Sequence, residues 1–176
     1  RRWAAADQPV GASAMIRQRP RLVALIVGLC LMGCGNSGLR PQPGISSALQ
    51  RSADSRRWPS MGNRWLASIA SRNGRERVEL VDLRNGQPVP LPGINQADAQ
   101  PISVSVSADG NRIALIRSRE GRTELALYRR SVGILQRLPL EPAGVPREVS
   151  LDGSGRLLAV QVSRQGRWDV DLIRLP

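Results

Sequence analysis

A chain of 176 residues is long enough for one domain with a real core, or for a few copies of a smaller repeat, but not for two ordinary domains plus an export signal. Its net charge of +12 comes from 26 basic residues, all Arg, against 14 acids, and there is no Lys, His or Phe. Without histidine the common Ser-His-Asp and Cys-His triads are excluded, and so are most zinc sites.

The Arg-only usage reads as a GC-rich codon bias. Five Arg and Asp7 precede Cys34, so the rest of the chain carries 21 Arg against 13 acids, a balance of +8 spread evenly along it. Phosphate binding by counterion release needs Arg gathered on one face, and single-strand binding needs aromatic platforms. Neither pattern is present, so no nucleic-acid partner is expected.

Residues 1–14 have no pattern of their own and precede Met15, which is expected to be the true start; Arg1-Arg2 lies too far from the apolar run for a twin-arginine signal. Met15-Ile16-Arg17-Gln18-Arg19-Pro20-Arg21 is a positive segment of the kind held on the cytoplasmic side during export. Leu22 to Met32 is uncharged, and eleven helical residues are too few to cross a hydrocarbon core of about 30 Å. The three-part order of charge, short apolar run and small residue predicts a helical signal segment over 15–33.

That segment closes on Leu31-Met32-Gly33-Cys34, which resembles the lipobox of bacterial lipoproteins. The resemblance implies a diacylglycerol or other fatty-acyl chain on the Cys34 sulfur, and cleavage at the small Gly33. Cys30 would leave with the signal, so the mature chain keeps one cysteine and can form no internal disulfide. The Gly- and Pro-rich stretch after Cys34 has the composition of a flexible tether, and 34–57 is expected to be a lipidated linker. Gly35 is not the Asp of the enterobacterial inner-membrane retention rule, which slightly favours the outer membrane.

From residue 58 to 176 the chain repeats. Ala67-Ser68-Ile69-Ala70-Ser71-Arg72-Asn73-Gly74-Arg75, Ala114-Leu115-Ile116-Arg117-Ser118-Arg119-Glu120-Gly121-Arg122 and Ala159-Val160-Gln161-Val162-Ser163-Arg164-Gln165-Gly166-Arg167 share Ala four residues before Ser-Arg-x-Gly-Arg. The copies are offset by 47 and 45 residues. Each reads as a β-hairpin: a short apolar run, a turn with Gly74, Gly121 or Gly166 at positive φ, and a second strand. Ile102-Ser103-Val104-Ser105-Val106 alternates as a half-buried strand, and a further strand is expected at about Ile134 to Leu138.

Four short strands in about 46 residues make an all-β chain of antiparallel blades. Ser107-Ala108-Asp109-Gly110-Asn111-Arg112-Ile113-Ala114 then resembles the Ser-Pro-Asp-Gly turn and strand of the TolB-like, WD40-like propeller repeats, with Ala108 in place of Pro. Asp109 is expected to cap backbone amides of the bend and Gly110 to take the left-handed conformation. Copy three stretches the turn as Ser150-Leu151-Asp152-Gly153-Ser154-Gly155, with Asp152 and Gly153 as the matching pair, and copy one keeps Pro59-Ser60-Met61-Gly62-Asn63. The fold expected is a partial TolB-like β-propeller. Room for about two and a half blades leaves strand edges to cover, by self-association, for example two chains making one ring, or by packing as a small open sandwich.

No catalytic group, metal or cofactor beyond the acyl chain is expected. Arg72, Arg75, Arg119, Arg122, Arg164 and Arg167 fall at the hairpin tips, where a solvated face outweighs a cationic rim, and Trp58, Trp65 and Trp168 are expected to fill the space between blades. The TolB resemblance implies a periplasm-facing envelope protein, membrane-held through lipid, with an envelope protein partner. Its alternative is a propeller module accompanying a peptidase or other hydrolase, or binding glycan.

Overall fold

The computed structural model describes residues 38–176, and residues 41–176 form one compact unit. Helix α1 (Ile45–Arg51) is followed by eleven strands in three antiparallel sheets. Sheet 1 holds β1 (Ser55–Met61), β2 (Trp65–Arg72), β3 (Arg75–Asp82) and β4 (Gln87–Val89), in that order. Sheet 2 repeats the order with β5 (Ala99–Val106), β6 (Arg112–Arg119), β7 (Arg122–Arg129) and β8 (Ile134–Leu138). Sheet 3 has three strands, β9 (Val145–Leu151), β10 (Leu157–Arg164) and β11 (Arg167–Arg174).

The hairpins form because their tips supply two consecutive residues at positive φ, which gives the connection a twist matching that of the strands. Asn73 and Gly74 have φ of 51° and 76°, Glu120 and Gly121 of 50° and 73°, and Gln165 and Gly166 of 49° and 79°. The flanking Arg residues then pair directly, Arg72 with Arg75, Arg119 with Arg122 and Arg164 with Arg167.

Both faces of sheet 2 are buried because strand residues alternate sides. Ile113, Leu115, Ala126 and Tyr128 join Trp65, Ala67, Ile69, Val78 and Leu80 of sheet 1 in one core. Ala114, Ile116, Leu125 and Leu127 join Val149, Leu151, Leu158, Val160 and Val162 of sheet 3 in the second. Each face therefore has a direction. A leading face meets the next sheet, and a trailing face meets the one before. The repeat offsets map these faces onto one another, since Val78 and Leu80, Leu125 and Leu127, and Val170 and Leu172 hold the same two places.

The two ends of the stack differ. On the trailing side of sheet 1, α1 lies beside Arg56, whose Nη1 donates to the Leu49 carbonyl at 3.1 Å, and Ala48 lies near Gly86. Ala70 and Val81 on that face are buried. On the leading side of sheet 3, Trp168, Val170 and Leu172 are 54%, 67% and 69% exposed. Part of the expected 34–57 tether is thus ordered, holding α1 and the start of β1. Of the three tryptophans assigned to the core only Trp65 is buried, while Trp58, at a bulge in β1 with φ 53°, and Trp168 are exposed. No helix among the described residues is long and apolar enough to cross a membrane.

Candidate functional site

The polar groups that do structural work gather where β1, β5 and β9 lie side by side and in the turns that follow these strands. Three serines there accept backbone amides of the neighbouring sheet. Val106 N–H donates to Ser60 Oγ at 3.1 Å, Leu151 N–H to Ser105 Oγ at 2.9 Å and Val149 N–H to Ser103 Oγ at 3.2 Å. The turns continue the pattern through backbone alone, Asn63 N–H to the Ala108 carbonyl at 3.1 Å and Ala108 N–H to the Gly153 carbonyl at 2.9 Å. An unpaired buried donor is costly, and here a hydroxyl of one repeat satisfies a donor of the next.

In the second repeat the turn is closed by its own side chains. Ser107 Oγ donates to Asp109 Oδ1 at 2.5 Å, and Asp109 Oδ1 accepts Asn111 N–H at 2.9 Å while Ser107 Oγ accepts Arg112 N–H at 3.0 Å. Gly110 takes φ +70°, and a Cβ built there would stand 2.4 Å from Cδ1 of Trp65. That indole is buried and carries the guanidinium groups of Arg64 and Arg130, each 4.5 Å from its ring centroid. In the third repeat the two side chains change places: Asp152 stands where Ser107 does, and Ser154 Oγ donates to it at 2.5 Å. Asp152 also accepts the amides of Arg156 at 2.7 Å and Leu157 at 2.8 Å. The left-handed glycine of this turn is Gly155, φ +70°, rather than Gly153, whose carbonyl serves instead as the link to Ala108.

At the opposite ends of the strands the tip arginines are mostly paired with carboxylates. Arg72 Nε lies 2.7 Å and Arg77 Nη2 2.8 Å from Asp54, Arg119 Nε 2.8 Å from Asp98, Arg167 Nε 3.2 Å from Asp169, and Arg164 clasps Asp171. An open groove of about 410 Å³ between the first two tips is lined by Glu76, Gln96, Asp98, Gln100, Ser118 and Glu120. Its lining lacks the apolar walls that bind small molecules.

The titratable groups report the same arrangement. Hydrogen bonds from Arg77 hold Asp54 well below the usual carboxylate range; Arg57 does so for Glu76, Arg84 for Asp82 and Arg164 for Asp171. Ser107 lowers Asp109, and Ser154 with the turn amides lowers Asp152 to about 2. Burial pushes the Tyr128 phenol up, and its hydroxyl donates to the Pro92 carbonyl at 2.9 Å. A proton-transferring carboxyl is tuned upward toward neutrality, whereas these carboxylates are fixed as anions. Among the described residues no three His, Cys, Asp or Glu side chains group to hold a metal.

The expected turn residues Asp109, Gly110, Gly74, Gly121 and Gly166 all sit in tight turns, and Asp152 anchors the third. Leu31, Met32, Gly33 and Cys34 lie outside the described residues. The serine links between repeats were not singled out from sequence, although Ser60, Ser105 and Ser150 recur at an interval of 45.

No protein-family model matches the chain, and no curated protein matches it. Solved structures do. A structure assigned as TolB from Agrobacterium tumefaciens matches with TM-score 0.50 at 17% identity over 63% of this chain and 39% of that one. A puromycin-hydrolysing peptidase of Mycobacterium tuberculosis matches with TM-score 0.51 at 19% identity, over 69% of this chain and 19% of its own. A nidogen/laminin complex matches with TM-score 0.52 at 14% identity over 69% and 45%. The chain thus spans less than half the length of each. At such identities the likeness concerns the fold, an all-β stack of antiparallel sheets forming part of a TolB-like propeller.

Proposed function

We propose that the chain is a bacterial envelope lipoprotein whose propeller blades act as a non-enzymatic interaction module, facing the periplasm and held to a membrane by an acyl chain on Cys34. The observation that carries this reading is the order Arg17-Arg19-Arg21, nine uncharged residues, then Leu31-Met32-Gly33-Cys34, only seven residues before the compact unit opens at Pro41. A thioether at Cys34 removes the one thiol that an oxidising compartment would otherwise attack, and one buried acyl chain gives only marginal membrane binding unless a second signal joins it. The fold is compatible with such a role. Its side chains are committed to turns, ion pairs and links between sheets, and its exposed faces are left for contacts with an envelope protein or a peptidoglycan-associated partner that supports the outer membrane.

Metabolic labelling with a palmitate analogue tests the attachment. Wild type is expected to take up label and to fractionate with membranes, and Cys34→Ala to lose both. Label that persists in the mutant would overturn the assignment of the site.

A further inference from the structure

One cross-strand pair departs from the repeat. At the end of the stack that carries the Ser107–Arg112 turn, sheet 1 presents Trp65 opposite Asp82, and the Asp82 carboxylate answers the guanidinium groups of Arg64 and Arg84. Sheet 2 presents Arg112 opposite Arg129 in the same two places. Uncharged Asn111 and Ser131 stand where Arg64 and Arg84 do. A carboxylate between arginines in one repeat thus becomes a pair of arginines with no carboxylate in the next.

Like charges directly opposite each other on a sheet repel, and these two side chains are only partly exposed. Arg112 Nη1 donates to the Gly155 carbonyl at 2.9 Å, and neither guanidinium forms an ion pair among the described residues. Asp109 and Asp152, in the adjoining turns, spend their oxygens on Ser107, Ser154 and backbone amides. Nε of Arg129 is buried and has no hydrogen-bond partner. Desolvating a cation is costly unless a countercharge reaches it. Two guanidinium groups side by side, one steadied by a carbonyl, offer the planar forks of N–H donors that phosphate oxygens take from arginine.

We propose that Arg112 and Arg129 bind a phosphate group, that of an anionic lipid headgroup. The path of the chain points to lipid. Ala48 of α1 lies against Gly86, in the turn after β3 at this same end, while the residues after α1 lead to Asp54, which meets Arg72 and Arg77 toward the hairpin tips. Helix α1 therefore runs from the arginine end toward the tips, and the compact unit is entered, at Pro41, on the arginine side. An anchor upstream at Cys34 would turn this end to the membrane. The tips are the poorer candidate in charge as well, since Arg72, Arg119, Arg164 and Arg167 are each answered there by a carboxylate. A bound headgroup adds an electrostatic attachment to the acyl one. The choice of lipid as the source rests on the anchoring proposed above; the arginine pair does not.

Thermal melting of the full chain carrying Cys34→Ala, in a neutral detergent, tests the site without acylation. Added phosphatidylglycerol is expected to raise Tm saturably, and phosphatidylcholine to leave it unchanged. Arg112→Gln with Arg129→Gln should raise the half-saturating lipid concentration about tenfold or more, the loss of one charge-assisted contact. Arg75→Gln with Arg122→Gln removes the same charge from exposed hairpin-tip positions and should leave it unchanged. If the first pair fails to fold by circular dichroism, Arg129→Gln alone carries the test: without lipid it melts at or above wild type, having lost a repulsion, and with lipid it gains less. Equal effects of the two double variants, or an equal response to phosphatidylcholine, would overturn the site. Saturation by inorganic phosphate at equal ionic strength, with no response to phosphatidylglycerol, would overturn the lipid source and keep the arginine pair. A Cys34→Ala chain that loses palmitate label yet ignores phosphatidylglycerol would defeat this inference and leave the anchoring standing.

Discussion

Replacing Gly110 by Ala probes the contact with Trp65 through which, beside the Asn63–Ala108 hydrogen bond, the second repeat's turn is seated on the first repeat. The residue takes φ +70°, where an L side chain costs about 1–2 kcal/mol. Its new methyl would also stand 2.4–2.6 Å from three atoms of the Trp65 ring, which cannot retreat because it is buried and held between Arg64 and Arg130. Forcing an extra carbon into such packing costs about 1–3 kcal/mol more. Gly121→Ala is the internal control. Its φ is +73° and a Cβ there meets nothing within 4 Å, so it carries the backbone cost alone. Urea unfolding followed by tryptophan fluorescence should place Gly110→Ala about 2–5 kcal/mol below wild type and Gly121→Ala about 1–2 kcal/mol below. Equal losses in the two variants would refute the seating of the turn on Trp65.

Two further outcomes follow from buried and hydrogen-bonded charge. Arg117 is 6% exposed and donates through Nε to Glu124 at 2.6 Å, so Glu124→Gln strands a buried cation and should cost about 3 kcal/mol, whereas Arg117→Val with Glu124→Val should recover most of it; chemical denaturation of the two variants decides. Asp152, lowered to about 2 when folded, stabilises the third turn fully above the ordinary carboxylate value near 4 and loses that contribution as the pH falls from there toward 2. Thermal melting between pH 5 and pH 2 should therefore show a smaller acid-induced fall in Tm for Asp152→Asn than for wild type.

The hairpins were legible because a two-residue period and a glycine at the tip fix both strands locally, and β8 falls on the expected Ile134 to Leu138. The all-β repeat was legible for the same reason. Which face of a strand is buried was not, since that depends on a neighbouring sheet: Trp65 and Trp168 lie in similar strands, but only the first has a sheet against it. Helix α1, at seven residues, is too short for a helical period to stand out from the linker composition around it. In the third turn Asp152 and Ser154 exchange the places of Ser107 and Asp109 while Gly155 keeps the left-handed place of Gly110, so the Asp152-Gly153 pair is only an apparent match to Asp109-Gly110. The Ser60 and Ser105 links carry a regular spacing, but a serine in a strand has no local signature of an acceptor for another repeat.

Those hydroxyls have a consequence for how such a chain can change length. A residue gained beside the exposed Val132, in the turn between β7 and β8, alters chiefly a connection, but one gained inside β5 would move Ser105 off the Leu151 amide and Val106 off Ser60 in a single step, uncoupling the repeat from both neighbours. Insertions are therefore confined to the loops, and the molecule can lengthen or shorten its stack cleanly only by whole repeats.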